Sequence, residues 1–304
     1  MHAPFFSVII PAYNPSTGLL KILKKLYEQS FTDFEVIICD DGSDIDVKSL
    51  IEDYLLSGNL LYIRQENGGP ASARQNGASH ASGVFLIFLD ADDFPSQTWL
   101  ADFKKMIDEG HKLVCCNVIS YTLKRPIREI QIGGGKVKFN YLAGAFAVQK
   151  EIYEEVGGYD PVLRYGENWE LGFRLLNYAD RNSLQIGVVD DYNLQYNREM
   201  DEDKFQAQSV QRASTCEYLY RKYKDSNRVT SKQLLQWVEM AAVNYSRSGD
   251  YKKSREFMLE AINLNPRKAK NYVRYVIAMF PIISNKFWSR KSIQKSFGSK
   301  ANEA

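Results

Sequence analysis

The sequence predicts an α/β protein, a mostly parallel sheet with helices on both faces, followed by a small all-helical region. Three observations carry this. Short, almost wholly apolar runs alternate with helical patterns through the first 116 residues, as strands covered on both faces require. The first four runs each end in a polar or turn-forming cluster. Beyond Asp201 the pattern is helical alone, which divides the chain into 1–200 and 201–304.

The order is FSVII (6–10) and a helix over 16–29, FEVIIC (34–39) and 46–56, LLYIR (60–64) and 70–81, VFLIFL (84–89) and 97–109, then KLVCC (112–116). A mixed region follows, with YLAGAFAV (141–148), VGGYD (156–160), a helix opening in GENWELGFRL (166–175) and a strand at QIGVVD (185–190). Helices are expected over 202–224, 231–247 and 251–263. The stretch 242–266 resembles a single tetratricopeptide-type hairpin; one copy cannot build a stacked array, so a plain helical pair is the expectation.

The chain has 304 residues, 44% apolar content and a net charge of +2, enough for a sizeable core. Charge is uneven: from Pro266 to Ala304 there are nine Lys/Arg and one acid, Glu303. The basic residues form no recognisable nucleic-acid module, and His2, His80 and His111 are scattered. Cys39, Cys115, Cys116 and Cys216 lack metal-like spacing and read as reduced thiols, with Cys39, Cys115 and Cys116 in apolar runs that look like core strands. No signal-peptide pattern opens the chain and no apolar run approaches the ~20 residues of a spanning helix. These features point to the cytoplasm.

In open parallel sheets ligands bind at the carboxyl ends of the strands, so PAYN (11–14), DDGS (40–43), QENGGP (65–70) and DADD (90–93) converge on one crevice. Asp90, Asp92 and Asp93 suit a hard cation such as Mg²⁺ or Mn²⁺, which takes one or two carboxylates and fills its shell with water and phosphate oxygens. A polar turn with Asp93 or Ser96 capping the next helix explains them without metal. DDGS offers an acceptor for a base N–H or a ribose hydroxyl; the plain alternative is a turn with Ser43 or Asp44 as a helix cap. Tyr13 could stack on a base or pack a loop, and Arg74 could face a diphosphate or lie exposed on its helix. Four such clusters on one edge favour a nucleotide-diphosphate site. Neither GxGxxG nor GxxxxGK[ST] is present, against a dinucleotide dehydrogenase or a P-loop NTPase.

VIIPAYN (8–14), DDGS (40–43), ENGGPASARQNG (66–77), FLDADD (88–93), VGGYD (156–160) and GENWELGFRL (166–175) together resemble the ordered motifs of family 2 inverting glycosyltransferases with the GT-A fold, over about residues 5–200. The resemblance implies that Asp41 binds the uracil ring of a UDP-linked donor, with Tyr13 and Pro11 lining it and Asp40 and Arg74 near the same nucleotide. It implies that Asp92 is the main ligand of a divalent metal (Mn²⁺ or Mg²⁺), supported by Asp90. The acceptor would be a glycan or lipid-linked glycan, as in cell-surface polysaccharide synthesis. A nucleotide-sugar-binding protein without transferase activity and a sugar-phosphate nucleotidyltransferase are the alternative readings.

Inversion also needs a carboxylate that takes the acceptor's proton. The family's Glu-Asp pair carries this base on its Asp, and this chain departs from the pattern with Asn168 there. Glu167 is the first choice in its place and Glu170 the second. Locally, Asn168 reads as a helix N-cap and Glu170 with Arg174 as an i,i+4 pair. Helical spacing sets Trp169, Phe173 and Leu176 on one buried stripe with Leu171, Gly172 and Leu175 beside it, and leaves Glu170, Arg174 and Asn177 on a narrow polar arc. Residues 271–298 mix aromatic and aliphatic groups with Arg and Lys, which suits either a peripheral contact with the inner face of the cytoplasmic membrane or a solvated basic tail.

Overall fold

The computed structural model describes residues 3–15, 17–56, 58–122, 125–130, 139–197, 202–226 and 229–288. The chain forms two compact units, Met1–Glu199 and Met200–Ala304.

The first unit runs β1 (Phe6–Ala12), α1 (Gly18–Tyr27), β2 (Phe34–Asp40), α2 (Val47–Leu50), α3 (Glu52–Leu55), β3 (Leu60–Arg64), α4 (Pro70–His80), β4 (Phe85–Phe88), β5 (Phe94–Pro95), α5 (Trp99–Asp108), β6 (Leu113–Thr122), β7 (Arg125–Ile130), β8 (Phe146–Gln149), α6 (Lys150–Glu155), α7 (Glu167–Arg181) and β9 (Gly187–Asn197). Sheet order is β3-β2-β1-β4-β8-β6-β9-β5, with β7 on β6. The strands β3, β2, β1 and β4 pair in parallel, as do β6 and β9. β8 pairs antiparallel with both β4 and β6, so the fifth apolar run, KLVCC, lies one strand away from β4.

Both faces of the sheet are covered, which explains the unbroken apolar strands. Phe6, Val8 and Ile10 of β1, with Val36 and Ile38 of β2 and Ile87 of β4, share a core with Leu19, Ile22, Leu23 and Leu26 of α1 and Trp99 and Phe103 of α5. The alternate residues meet the other layer. Ile9 faces α4 so closely that a Cβ on Gly77 would lie 2.5 Å from its Cγ2. Phe88 packs edge-on against Tyr159 at 4.8 Å between ring centroids.

Packing rather than local preference makes these helices. α1 has ten residues and no side-chain cap at Thr17. A cap contributes about 1 kcal/mol and an isolated helix of this length is marginal. Its four fully buried Leu and Ile side chains contribute about 1.5–3 kcal/mol each, several times more. The single helix expected over 46–56 is two four-residue helices that meet at Ile51, with Asp46 accepting from the Ser49 N–H at 3.1 Å. Asp46 is therefore the cap, and Ser43 and Asp44 serve the neighbouring loop.

The second unit contains α8 (Glu202–Tyr223), α9 (Ser231–Ser248), α10 (Tyr251–Leu264), α11 (Ala269–Met279) and α12 (Pro281–Trp288). Thr230 and Gln233 form a capping box on α9, Gly249 ends that helix in the left-handed region, and Asp250 caps α10. Among the described residues no helix is long and apolar enough to cross a membrane.

Cys39, Cys115, Cys116 and Cys216 are buried free thiols. Burial pushes Cys39 and Cys216 up to about 12 and Cys115 to about 11. The native protein is therefore expected to give no fast reaction with a disulfide thiol reagent at pH 8, and four thiols once unfolded. A rapidly titrating thiol in the native protein would contradict this core.

Candidate functional site

The register of the parallel strands aligns their carboxyl ends: Ala12 opposes Asp40, and Asp40 opposes Arg64. The loops after β1 and β2 are clasped together. Asn14, at φ 44°, donates its backbone N–H to Ser43 Oγ at 2.8 Å. It also accepts from the Asp44 N–H at 2.8 Å and donates through Nδ2 to Asp44 Oδ2 at 2.9 Å. Pro11 is the penultimate residue of β1 and Tyr13 follows the strand, 56% exposed.

The two aspartates of DDGS point to different partners. Asp40, wholly buried, accepts from the Ser43 N–H at 2.9 Å, the Tyr62 hydroxyl at 2.7 Å and Arg64 Nη1 at 2.8 Å. Burial opposes its charge, but Ser43, Tyr62 and Arg64 prevail and hold its pKa below the usual carboxylate value. Asp41 accepts from Gln65 Nε2 and from the backbone N–H groups of Gly68 and Gly69, each at 2.8 Å. Gly42, which follows the two aspartates, sits at φ 78°, and a Cβ there would come within 2.9 Å of the Asn67 backbone nitrogen, so both conformation and space demand glycine.

Gly69 is also the residue before α4, so Asp41 anchors the start of that helix. One turn on, Arg74 is buried and not exposed on its helix. Its Nη2 donates to Asp90 Oδ1 after β4, and its Nη1 donates to Glu167 Oε1 on α7 at 2.7 Å. The guanidinium also lies 5.4 Å from the centroid of the Tyr159 ring. Burial alone would lower the Arg74 pKa; Asp90, Tyr159 and Glu167 around it reverse that and raise it. Of the DADD residues Asp90 is half-buried, Asp92 is exposed and Asp93 is buried.

Three expectations for GENWELGFRL are corrected. Gly166, left-handed at φ 74°, precedes the helix, so Glu167 is the first residue inside α7 and Asn168 is not its cap. Asn168 Oδ1 instead accepts from the Tyr159 hydroxyl at 2.6 Å. Leu171, Gly172 and Leu175 are buried as expected, but they share the buried side of α7 with Glu167, Glu170 and Ala179, while Trp169, Phe173 and Leu176 are half-buried. Glu170, 1% exposed, is not on a solvent arc because Arg174 takes both its oxygens, Nε to Oε1 at 2.9 Å and Nη2 to Oε2 at 2.6 Å. The same guanidinium donates to the Val156 and Gly158 carbonyls at 2.6 Å each, fastening the VGGYD turn to α7. Glu167 is 9% exposed, with Oε1 on Arg74.

Residues that local spacing does not single out complete the crevice. Tyr62 and Arg64 hold Asp40, Gln65 holds Asp41, and Arg164 reaches over the crevice loop with Nη1 on Asn67 Oδ1 at 3.0 Å. A strand-end Arg next to an Asp-rich turn was the available signal for Arg64; Arg164, 97 residues from its partner, offered none.

The glycosyl transferase family 2 model matches residues 7–165, just over half of the chain. Poly(ribitol-phosphate) β-N-acetylglucosaminyltransferase TarS of Staphylococcus aureus is 36% identical over 110 residues, 35% of this chain and 19% of that protein. A Campylobacter jejuni GalNAc(5)-diNAcBac-PP-undecaprenol β-1,3-glucosyltransferase is 34% identical over 119 residues, 38% of each chain. The alignments thus span well under half of these relatives. The crystal structure of S. aureus TarS with UDP-GlcNAc superposes with a TM-score of 0.61 at 18% identity, covering 94% of this chain and 92% of that one. The mannosyltransferase PcManGT from Pyrobaculum calidifontis, with GDP-Man and Mn²⁺, gives 0.57 at 16% identity, covering 95% and 88%. At these identities the superpositions speak for a shared GT-A fold, and the match of the family model to the very strands and loops that form the crevice shows that this chain belongs to glycosyl transferase family 2.

Proposed function

We propose that the chain transfers a glycosyl group with inversion from a nucleotide-diphosphate sugar, UDP-linked, to a glycan or lipid-linked glycan of the cell surface. The observation that carries this is the Arg74 bridge, which joins a carboxylate of the strand-end DADD loop to a carboxylate on α7 beside the nucleotide-type crevice. The names of the relatives support the substrate class: TarS acts with N-acetylglucosamine on poly(ribitol-phosphate), and the Campylobacter enzyme is a glucosyltransferase acting on an undecaprenol-linked glycan.

Donor binding falls to the edge formed by Pro11, Tyr13, Asp40 and Asp41. Tyr13 is exposed and free to stack on a base, while Asp40 keeps the turn rigid and Asp41 reads the ring edge. Among the described residues no three acidic, His or Cys side chains form a ready metal cage. Exposed Asp92, with Asp90 in support, would hold Mg²⁺ or Mn²⁺, since such ions take one or two carboxylates and complete their shell with water and phosphate oxygens. The ion would supply charge stabilisation to the departing nucleoside diphosphate.

Glu167 is the base in this reading. Its carboxylate takes the proton of the acceptor hydroxyl as that oxygen bonds to the anomeric carbon, opposite the breaking bond to the diphosphate. Arg74 engages Oε1 and fixes the carboxylate's orientation, leaving Oε2 for the acceptor. Glu170, with both oxygens on Arg174, is structural. Asn168 favours one second reading, a nucleotide-sugar-binding protein that has lost transfer. Donor hydrolysis and transfer assayed with and without Mn²⁺ separate the two.

Glu167→Gln is expected to lower turnover by about 10²–10⁴ while donor affinity survives. Glu170→Gln is expected to act on the thermal midpoint instead, because it breaks a buried ion pair. Near-normal turnover of Glu167→Gln would remove it as the base. Asp92→Asn should abolish the Mn²⁺ dependence of donor-induced thermal stabilisation, a readout independent of turnover; stabilisation that still responds to Mn²⁺ would move the metal elsewhere.

A further inference from the structure

We propose that the outer face of α11 and α12 is a docking surface for an anionic lipid bilayer. This deepens the lipid-linked reading of the acceptor but rests on a different part of the chain. α11 is buried only at Asn271 and Ala278, with Arg274 and Tyr275 half-buried beside them. At 100° per residue Tyr272, Val273, Val276, Met279 and Phe280 fall on the opposite side, within an arc of about 120°. All five are exposed, Val273 at 59%. α12 repeats the arrangement: Ser284 and Trp288 are buried, while Ile282, Ile283 and Phe287 are exposed, Ile282 at 86%.

A helix that is polar toward solvent needs no further partner, but these two turn apolar side chains outward. Eight exposed large apolar side chains within sixteen residues make a surface that water alone does not favour.

Charge selects the occupant. Lys270 and Lys286 are exposed on the same two helices. Between Pro266 and Asn302 the sequence holds nine Lys/Arg and no Asp or Glu. A second copy of this chain would bring like charge against like charge. An anionic bilayer accepts the apolar groups into its interface and attracts the lysines at its surface. A short apolar face with flanking basic charge lies on such a surface; it does not cross it.

The test is sedimentation of the full chain with vesicles of phosphatidylcholine alone or with phosphatidylglycerol. Binding is expected to be at least about tenfold stronger to the anionic vesicles and to weaken as NaCl is raised. Val276→Glu with Ile283→Glu should reduce it by about tenfold or more, and Lys270→Glu with Lys286→Glu should do likewise without touching the apolar face. Thermal midpoints and donor turnover in the same samples should be unchanged; turnover reads the transferase proposal separately. Wild-type binding no stronger to anionic than to neutral vesicles, or variants that bind as well as wild type, would overturn the proposal. So would a lipid-indifferent dimer that Val276→Glu with Ile283→Glu dissolves.

Discussion

A guanidinium buried in the middle of a protein cannot shed its proton, so carboxylates must be brought to it. Arg74 is that group, and two carboxylates of the first unit meet its Nη atoms. Leaving one such charge unpaired in the interior costs several kcal/mol, a large part of a domain's net stability. Asp90 arrives from the end of β4 and Glu167 from the start of α7, 93 residues further along than Arg74. Because both bind one rigid fork, the loop after β4 and the first turn of α7 are held about one guanidinium apart.

The helix that carries Arg74 is itself fixed at its start and again two turns on. Asp41 grips the Gly68 and Gly69 N–H groups that lead into α4, and Gly77 lets the helix sit against Ile9 of β1. The stretch GGPASAR thus connects the turn after β2 to the carboxylates after β4 and on α7 in a single helical turn. Adjacent Asp40 and Asp41 divide the work. Neighbours along an extended chain point to opposite sides, so one turns to Tyr62 and Arg64 within the sheet and the other to the 65–69 loop.

What could be read from the sequence followed from continuity. β1, β2, β4, α1 and α5 were legible because strands buried on both faces must be apolar throughout and their helices must carry a matching stripe, whereas α4 buries Ala71, Ala73, Arg74, Gly77 and Ala78 and was marked by its place between two strands. The crevice was legible because polar clusters can follow such strands only at their ends. Properties that depend on a distant partner were not. Glu170 reads as a solvent residue until Arg174 is seen to take both oxygens and two carbonyls besides. The antiparallel insertion of β8 leaves no local signature, since Phe146–Gln149 is as apolar as a parallel strand would be. Residues 271–288 mix apolar and basic groups in any projection, and only their packing reveals which side stays uncovered.

Asn168 is the position at which local and global reasoning meet. Its Oδ1 receives the hydroxyl of Tyr159, whose pKa burial raises well above the ordinary value, so the hydroxyl remains a donor. The same Tyr159 lies under the Arg74 guanidinium, which in turn holds Glu167. Tyr159 therefore fixes both halves of the pair: it takes the amide directly and supports the carboxylate through Arg74. A side chain committed to a buried tyrosine is poorly placed to receive a proton, and an amide has no basic oxygen to offer. The carboxylate beside it meets Arg74 through Oε1 alone, so the proposed base is held in place by the same guanidinium that grips Asp90.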